Sequence, residues 1–314
     1  MAYHRMESIV DQHLTEDMAN YQLSRGSVSV GYYVNVETRR SIVHSHPYYE
    51  YILVRKGTPE YQANGSRFSL RPDELLLIAP RVPHAMFCRS EETSYERVIL
   101  QINADFMKQA LDGCGLRERF LDMPPLYIVR TEAVYHWGIP ALLERFNTSA
   151  AIEDAALRES LYRSQLMELM LIIESIGRTF HSKAPRATSS LIAEVTAFIQ
   201  EHYRESELNV AQIAQRFFVS REHLSRTFRE YTGESISGYL TDLRMQAFRG
   251  GLLEEKKILN ACLESGFSDY SSFVKSFRKL YGVTPMEYRE QLRAAVGQLP
   301  GTAQTPDDSG YAGP

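Results

Sequence analysis

The stretch that decides the fold is GFSDYSSFVKSFRKLYGVTPMEYR, residues 266–289. Phe273 and Phe277 share one face of a predicted helix, and basic side chains lie on its other faces. Gly282 suits the left-handed residue that ends a helix. Residues 284–287, TPME, form a capping box with proline at the first helical position. The stretch therefore predicts two successive helices, of which the first has a polar and basic outer face.

The same pattern occurs earlier in the chain, at a constant shift of 49 residues. The apolar and glycine positions that recur are Leu224, Phe228, Gly233 and Tyr239, which return as Phe273, Phe277, Gly282 and Tyr288. The basic positions Arg226 and Arg229 return as Lys275 and Arg278. In the first copy, Asn209 with Gln212 opens a short helix and Ser220 caps a second one. Two copies of one unit, each a helix, a tight turn and a helix, are thus predicted.

These two units resemble the DNA-binding domain of the AraC/XylS family of bacterial transcription regulators. Residues 266–289 resemble the family signature, and residues 211–233, AQIAQRFFVSREHLSRTFREYTG, resemble its first helix-turn-helix. The resemblance covers about 100 residues and implies a linker helix, here 235–248, between the units. It also implies that each unit places one recognition helix in a major groove of double-stranded DNA. Gly250 and Gly251, after the linker helix, are expected to loosen the units relative to each other.

The resemblance to the family implies which side chains of the two recognition helices face the DNA. In the first recognition helix they are Arg221, Glu222, Ser225, Arg226 and Arg229, and in the second Tyr270, Ser271, Ser272, Lys275 and Arg278. Arg226 is the candidate for a bidentate contact to guanine, because its planar fork matches the O6 and N7 acceptors. Arg229 and Arg278 lie one turn further on and are expected to meet phosphates. For one unit alone, an ordinary helical bundle with a solvated face would be the simpler interpretation.

Residues 28–100 contain β-branched and aromatic runs separated by turn formers, which predicts a small antiparallel sandwich or barrel. Within it HSHPYYE, residues 44–50, places His44, His46 and Glu50 on one face of an extended strand, and His84 begins a later strand. This set resembles the cupin metal motif. Three imidazoles and one carboxylate suit Fe, Mn, Ni or Zn.

The same four side chains have other interpretations. The sensor domains of the family are often cupin-like and often bind a sugar, and His and Glu are good partners for sugar hydroxyls. Tyr48, Tyr49 and Tyr51 would offer stacking faces for such an effector. We therefore predict that His44, His46, Glu50 and His84 bind an effector without a cofactor. A divalent metal site and purely structural histidines remain the alternatives.

The chain is predicted to be an α+β protein with distinct parts. They are a cupin-like effector-binding β-barrel (1–138), a helical dimerisation segment (139–181), a linker (182–190), the double helix-turn-helix domain (191–295) and a disordered tail (296–314). The helical segment carries an apolar stripe at Tyr162, Leu166, Leu169, Ile173, Ile176 and Phe180. That stripe either packs against the β-domain or forms a seam between the subunits of a homodimer.

Composition limits the function classes. A length of 314 residues with 44% hydrophobic residues suits two domains with real cores. Three widely spaced cysteines argue against disulfides or a cysteine-based zinc site. The lack of a signal peptide or a long apolar segment predicts a cytoplasmic protein without a membrane partner. A net charge of -4 alone would argue against nucleic acid, but the basic residues cluster on two short helices, and their placement decides.

The leading prediction is a ligand-responsive, sequence-specific DNA-binding transcription regulator with no catalytic residues. We expect it to activate carbohydrate-utilisation or related metabolic genes as a homodimer that contacts RNA polymerase. The alternative is a metal-dependent cupin enzyme, a dioxygenase or isomerase, fused to a helical domain. Against the enzyme stand the lack of a general acid or base beyond the four ligands and the lack of a role for a doubled helix-turn-helix.

Overall fold

The computed structural model describes most of the chain between residues 3 and 297. The described residues are 3–6, 13–14, 17–19, 23, 26–35, 44–63, 66–87, 94–121, 125–179 and 190–297. The strands are β1 (Tyr3–Met6), β2 (Val28–Asn35), β3 (Tyr49–Lys56), β4 (Glu60–Ala63), β5 (Ser66–Ser69), β6 (Leu75–Ile78), β7 (His84–Phe87), β8 (Tyr95–Ile102) and β9 (Leu126–Val129). In the N-terminal half the helices are α1 (Ala104–Gly113), α2 (Arg117–Leu121), α3 (Thr131–His136), α4 (Ile139–Ala150) and α5 (Ala155–Thr179). In the C-terminal half they are α6 (Ser190–His202), α7 (Val210–Arg216), α8 (Arg221–Thr232), α9 (Ile236–Leu253), α10 (Ile258–Glu264), α11 (Tyr270–Tyr281) and α12 (Pro285–Gly297).

The β-domain consists of two facing sheets. A six-stranded sheet has the order β1-β2-β8-β3-β6-β9, and a three-stranded sheet has the order β5-β4-β7. The large sheet is buried on both faces, because Ile52 and Leu76 point into the core shared with the small sheet. Their neighbours Leu53 and Leu77 point instead into a second core under the helices. Since side chains alternate along a strand, this double burial explains the unbroken apolar runs of β3 and β6.

The predicted apolar stripe of α5 belongs to that second core. Its members Tyr162, Leu166, Leu169, Ile173 and Ile176 are all buried against the large sheet and against α1 and α4. Phe180 lies outside the described residues. Of the two interpretations, packing against the β-domain within one chain is therefore the one that the structure shows.

The C-terminal half forms two helix-turn-helix units around a continuous helix. Leu224 and Phe228 of α8 lie in one core, and Phe273 and Phe277 of α11 lie in another. The predicted terminators are present, because Gly233 and Gly282 end α8 and α11 in left-handed conformations. The predicted fold class, an α+β chain with a β-rich sensor and a helical DNA-binding half, is confirmed.

The linker helix differs from the prediction. It runs to Leu253 rather than ending at residue 248, so Gly250 and Gly251 lie inside α9 instead of loosening its end. A Cβ at Gly251 would come within 3.1 Å of the Ala261 Cβ, so glycine here lets α10 approach α9 closely. Gly251 thus serves the packing of α10 on α9, whereas a Cβ at Gly250 would meet nothing within 4 Å.

Other predicted boundaries fall partly outside the described residues. Of the predicted linker 182–190, only Ser190 is described, and it begins α6. Of the predicted tail 296–314, residues 296 and 297 are the end of α12. Among the described residues, no helix is long and apolar enough to cross a bilayer.

Candidate DNA interface and histidine cluster

The outward faces of α8 and α11 form the candidate DNA interface. All ten predicted side chains are exposed: Arg221, Glu222, Ser225, Arg226, Arg229, Tyr270, Ser271, Ser272, Lys275 and Arg278. The opposite face of each helix is anchored in the core, by Leu224 and Phe228 in α8 and by Phe273, Phe277 and Tyr281 in α11. Each recognition helix therefore offers its polar face to a partner while its apolar face is held in the domain.

The N-termini of these helices are fixed by capping side chains. The Ser220 hydroxyl accepts the backbone N–H of His223 at 3.2 Å, as predicted. In the second unit Asp269 is the cap, and its carboxylate accepts the backbone N–H groups of Ser271 and Ser272. Hydrogen bonds from the Ser272 side chain and from these two N–H groups hold the pKa of Asp269 below its usual range. The first turns that would enter the groove are thus preordered.

Sequence reasoning missed Phe218 in the turn between α7 and α8. This side chain is 93% exposed, and its backbone has a φ of 55°, in the left-handed region. An aromatic residue rarely adopts that conformation, and glycine is the usual choice. The tight turn predicted before Ser220 needs one such residue, but no glycine marks its position in the sequence.

The predicted histidine cluster is formed by the structure. His44 and His84 exchange both backbone hydrogen bonds, at 3.0 and 2.9 Å, which sets their side chains next to each other. One ring nitrogen from each of His44, His46 and His84 lies within 4.8 Å of the others. The Glu50 Oε2 lies 3.4 Å from the Nε2 atoms of both His46 and His84. His46, Glu50 and His84 are all buried.

The tautomers of two histidines follow from their partners. The Nδ1 of His46 is 3.0 Å from the carbonyl oxygen of Tyr48, and the Nδ1 of His84 is 2.8 Å from that of Val82. A carbonyl oxygen can only accept, so each Nδ1 carries the proton and donates it. The Nε2 atoms of both rings are buried and face the Glu50 Oε2.

The carboxylate of Glu50 is oriented and kept ionised. Its Oε1 accepts a hydrogen bond from the Gln101 Nε2 at 2.9 Å, which leaves Oε2 toward the imidazoles. Burial raises the pKa of Glu50, but the nearby imidazoles of His46 and His84 outweigh burial and hold it well below its usual range. The cluster thus combines a negative oxygen with aromatic nitrogens in a buried site.

The cluster leaves little room for a sugar. Van der Waals contacts of about 3.5–4 Å on each side of a sugar ring exceed the 4.8 Å that separates the histidine nitrogens. The predicted stacking faces are also covered, because Tyr48 stacks on His46 at 3.9 Å. Tyr51 points into the core under the helices, where its hydroxyl contacts the Met170 sulfur.

A contact between the β-domain and the helical half begins at Ser45, between two of the cluster histidines. The Gln200 Nε2 of α6 donates to the Ser45 hydroxyl at 2.9 Å and to the Tyr239 hydroxyl of α9 at 2.8 Å. The Ser45 and Tyr239 hydroxyls are themselves 3.2 Å apart. The backbone N–H of Arg81 donates to the His46 carbonyl at 2.7 Å. These interactions were not predicted, because they join residues that are far apart in sequence.

Two further features join the halves. A cavity of about 270 Å³ lies beside the Ser45 contact, between the segment 81–83 and helix α6. At a second place Asp17 forms a buried ion pair with Arg249 of α9, at 3.1 Å, and accepts a hydrogen bond from the Tyr288 hydroxyl of α12 at 2.8 Å. The N-terminal part of the chain therefore contacts helices on both sides of the linker helix.

Comparison with known proteins finds two family models along the chain. Residues 27–170 match the AraC-like ligand binding domain, and residues 213–291 match a helix-turn-helix domain. The HTH-type transcriptional activator RhaS of Mannheimia succiniciproducens is 24% identical over 253 residues, which cover 78% of this chain and 88% of that protein.

An uncharacterized HTH-type transcriptional regulator of Staphylococcus aureus is 27% identical over 196 residues. The match covers 60% of this chain and only 26% of that much longer protein, so the chain spans about a quarter of this relative's length. Among solved structures, fatty-acid-bound ToxT of Vibrio cholerae matches 88% of this chain and 98% of its own, with 14% identity and a TM-score of 0.48. A likeness at that level carries no functional information.

Proposed function

Because the chain belongs to the AraC family of transcription regulators, we propose that it binds double-stranded DNA through α8 and α11 and that a ligand of the β-domain controls this binding. The observation that carries the proposal is the exposed polar face on two successive recognition helices, held on a single linker helix. The hydrogen bonds of Ser45 supply a route from the β-domain to the DNA-binding helices, because they join the histidine cluster to α6 and α9.

The enzyme alternative has no support. One family model describes a ligand binding domain and the other a helix-turn-helix domain, and the related proteins are described as transcriptional regulators. The side chains of the histidine cluster are explained by ligand binding without a reaction. A catalytic role for the β-domain is therefore no part of the proposal.

The proposal has finer parts, each with its own support. Activation rather than repression is supported by the description of the RhaS relative as an activator. A homodimer and contact with RNA polymerase are proposed from the family resemblance, and a cytoplasmic location from the sequence pattern together with the transcription-regulator family. Since the stripe of α5 is buried within the chain, a dimer would need another surface. A carbohydrate effector stays a prediction, and a sugar would have to bind beside the histidine cluster rather than within it.

The test is footprinting of the purified full chain on DNA upstream of its neighbouring genes. We expect protection of two adjacent major grooves on one DNA face, with affinity that falls as salt rises. Replacing Lys275 and Arg226 by alanine together should abolish the footprint. The matched control is Arg145→Ala, which removes an exposed arginine of α4 that pairs with Glu168 of α5. Binding that shows no sequence preference in any condition would refute the proposal.

A further inference from the structure

The turn before the first recognition helix holds an exposed aromatic side chain in a backbone conformation that suits glycine. We propose that Phe218 is a DNA-contacting residue of the first helix-turn-helix unit. Its ring lies against the apolar surface of the major groove, a deoxyribose or a thymine methyl group, beside the bases that α8 reads. The inference rests on the proposed function and adds to it an apolar contact outside the two recognition helices.

Phe218 occupies the position after α7 at which helices commonly place glycine. Its backbone N–H donates to the Gln215 carbonyl oxygen at 3.2 Å, and that of Val219 donates to the Ala214 carbonyl oxygen at 3.1 Å. These are the two hydrogen bonds of a Schellman motif, whose left-handed residue is usually glycine. They hold Phe218 at a φ of 55°, although a bulky side chain disfavours that conformation.

The second unit has the same motif with a glycine. The backbone N–H groups of Gly266 and Phe267 donate to the carbonyl oxygens of Leu263 and Cys262, and Gly266 has a φ of 96°. A Cβ at Gly266 would lie 2.7 Å from the Tyr203 carbonyl oxygen, so close packing requires glycine in this turn. The corresponding turn of the first unit is open to solvent, which leaves space for an aromatic ring.

The folded chain gains little from the ring of Phe218. Its neighbour Phe217 packs edge-to-face on Phe198 of α6, with the ring centroids 5.7 Å apart, whereas Phe218 is almost fully exposed. An exposed ring buries too little surface to offset a left-handed backbone. Strain of this kind is typical of functional positions. A partner outside the chain therefore explains the aromatic side chain better than folding does.

The position of Phe218 favours DNA as that partner. It lies two residues before Ser220, the cap of α8, so the two Cα atoms are within about 7 Å of each other. The first turn of α8 carries Arg221 and Glu222, which are both exposed and predicted to face the bases. A duplex whose bases reach this turn also passes the ring.

The charges around the ring suit a polyanion. Residues 208–221 contain two basic residues, Arg216 and Arg221, and no acidic residue. Both arginines are exposed. An apolar ring between two guanidinium groups matches the surface of DNA, where sugars and base methyl groups lie between phosphates. A hydrophobic protein surface would match the ring but not the two charges.

Phe218→Gly separates DNA binding from folding, because the two should not change together. Glycine adopts the left-handed conformation without strain, so the midpoint of thermal unfolding, followed by circular dichroism, should stay the same or rise. Affinity for the footprinted duplex, measured by fluorescence anisotropy, should fall about tenfold, the effect of losing one specific DNA contact. Phe218→Asn also tolerates this conformation and should lose the same affinity, which excludes the flexibility of glycine as the cause. Phe218→Tyr, which keeps the ring, should recover most of the loss.

The salt dependence distinguishes an apolar contact from a charge contact. Phe218→Gly removes no charge, so the slope of log affinity against log salt should equal that of the wild type, whereas losing a phosphate contact lowers it by about one. The matched control is Leu157→Ala, which removes an exposed apolar side chain of α5 and should leave the affinity unchanged.

A duplex with deoxyuridine in place of thymine identifies the apolar group, because deoxyuridine lacks the methyl group. A larger loss of affinity for the wild type than for Phe218→Gly assigns the contact to a thymine methyl group. Equal effects on the two proteins assign it to a deoxyribose.

Wild-type affinity in Phe218→Gly, or a lower unfolding midpoint, would overturn the inference. If this variant binds DNA normally but no longer supports transcription with purified RNA polymerase, the ring contacts protein, which also overturns it. These results leave the proposed function intact. Absence of selective DNA binding by the wild-type chain would instead refute the proposed function, and the inference with it.

Discussion

Arg226 and Arg229 are both exposed on α8 but are expected to act differently on DNA. Arg226 lies nearer the start of the recognition helix, where side chains reach base edges, whereas Arg229 lies one turn further on. A guanidinium that pairs with guanine O6 and N7 reads sequence, and one that pairs with phosphate does not. The position of the charge therefore matters more than its sign.

Arg226→Ala should cost about 1–3 kcal/mol on the operator and relax specificity at one base. Arg229→Ala should weaken operator and random DNA alike and lower the salt slope by about one. Fluorescence anisotropy on both duplexes at several salt concentrations measures the two effects. Equal loss on the two duplexes in Arg226→Ala would mean that this arginine contacts only phosphate.

Cys262 is a core residue of the second unit rather than a reactive thiol. Burial, with a smaller contribution from Asp269, raises its pKa to about 11. At pH 8 only about one thiol in a thousand would be ionised. We expect iodoacetamide to leave native Cys262 unmodified and to react with the half-buried Cys114, with both alkylated in denaturant. Peptide mass spectrometry reads this directly, and rapid native alkylation of Cys262 would show that the core of the second unit opens.

At the scale of elements, the two recognition helices end in the same way but meet different surroundings. Gly233 has a φ of 81° and Gly282 a φ of 76°. A Cβ added at Gly282 would have nothing within 4 Å, whereas one at Gly233 would collide with the Gln62 side chain of β4. Comparing alanine substitutions at the two glycines therefore distinguishes two effects. Both substitutions strain the backbone, but only the one at Gly233 also collides with the β-domain.

Gly282→Ala should therefore destabilise the protein by about 1–2 kcal/mol, the cost of a left-handed L-residue. Gly233→Ala should destabilise the protein more than Gly282→Ala does. Adding Gln62→Ala to Gly233→Ala should recover part of the additional loss of stability. Thermal unfolding followed by circular dichroism compares the three. Equal losses at the two glycines would show that Gln62 moves aside at no cost.

The sequence predicted what local patterns determine and missed what the tertiary fold determines. The caps at Asn209 and Ser220 and the buried faces of α8 and α11 follow from spacing within a few residues, and each is present. That His44 and His84 lie next to each other could be predicted only from the resemblance to the cupin motif, since 40 residues separate them in the chain. Nothing local marks Ser45 or Asp17, because their partners lie in the other half of the molecule.

At the scale of the whole molecule, the N-terminal part holds the helical half at two places. Ser45 contacts α6 and α9 beside the first unit, and Asp17 pairs with Arg249 near the second. Since α9 carries both contacts, a change at either place acts on the helix that sets the spacing of the two units. Spacing matters because each unit must reach its own major groove.

The Ser45 contact can be tested as one route by a double-mutant cycle with Tyr239. Ser45→Ala and Tyr239→Phe each remove one hydroxyl from the same hydrogen-bonded group. If this group transmits the state of the β-domain, each variant should change DNA affinity, and the double variant should change it no further than either alone, with a coupling of about 0.5–3 kcal/mol. The control is Thr241→Ala, whose hydroxyl bonds only within α9 and should leave affinity unchanged. Fully additive effects would mean that Ser45 and Tyr239 act independently rather than as one hydrogen-bonded group.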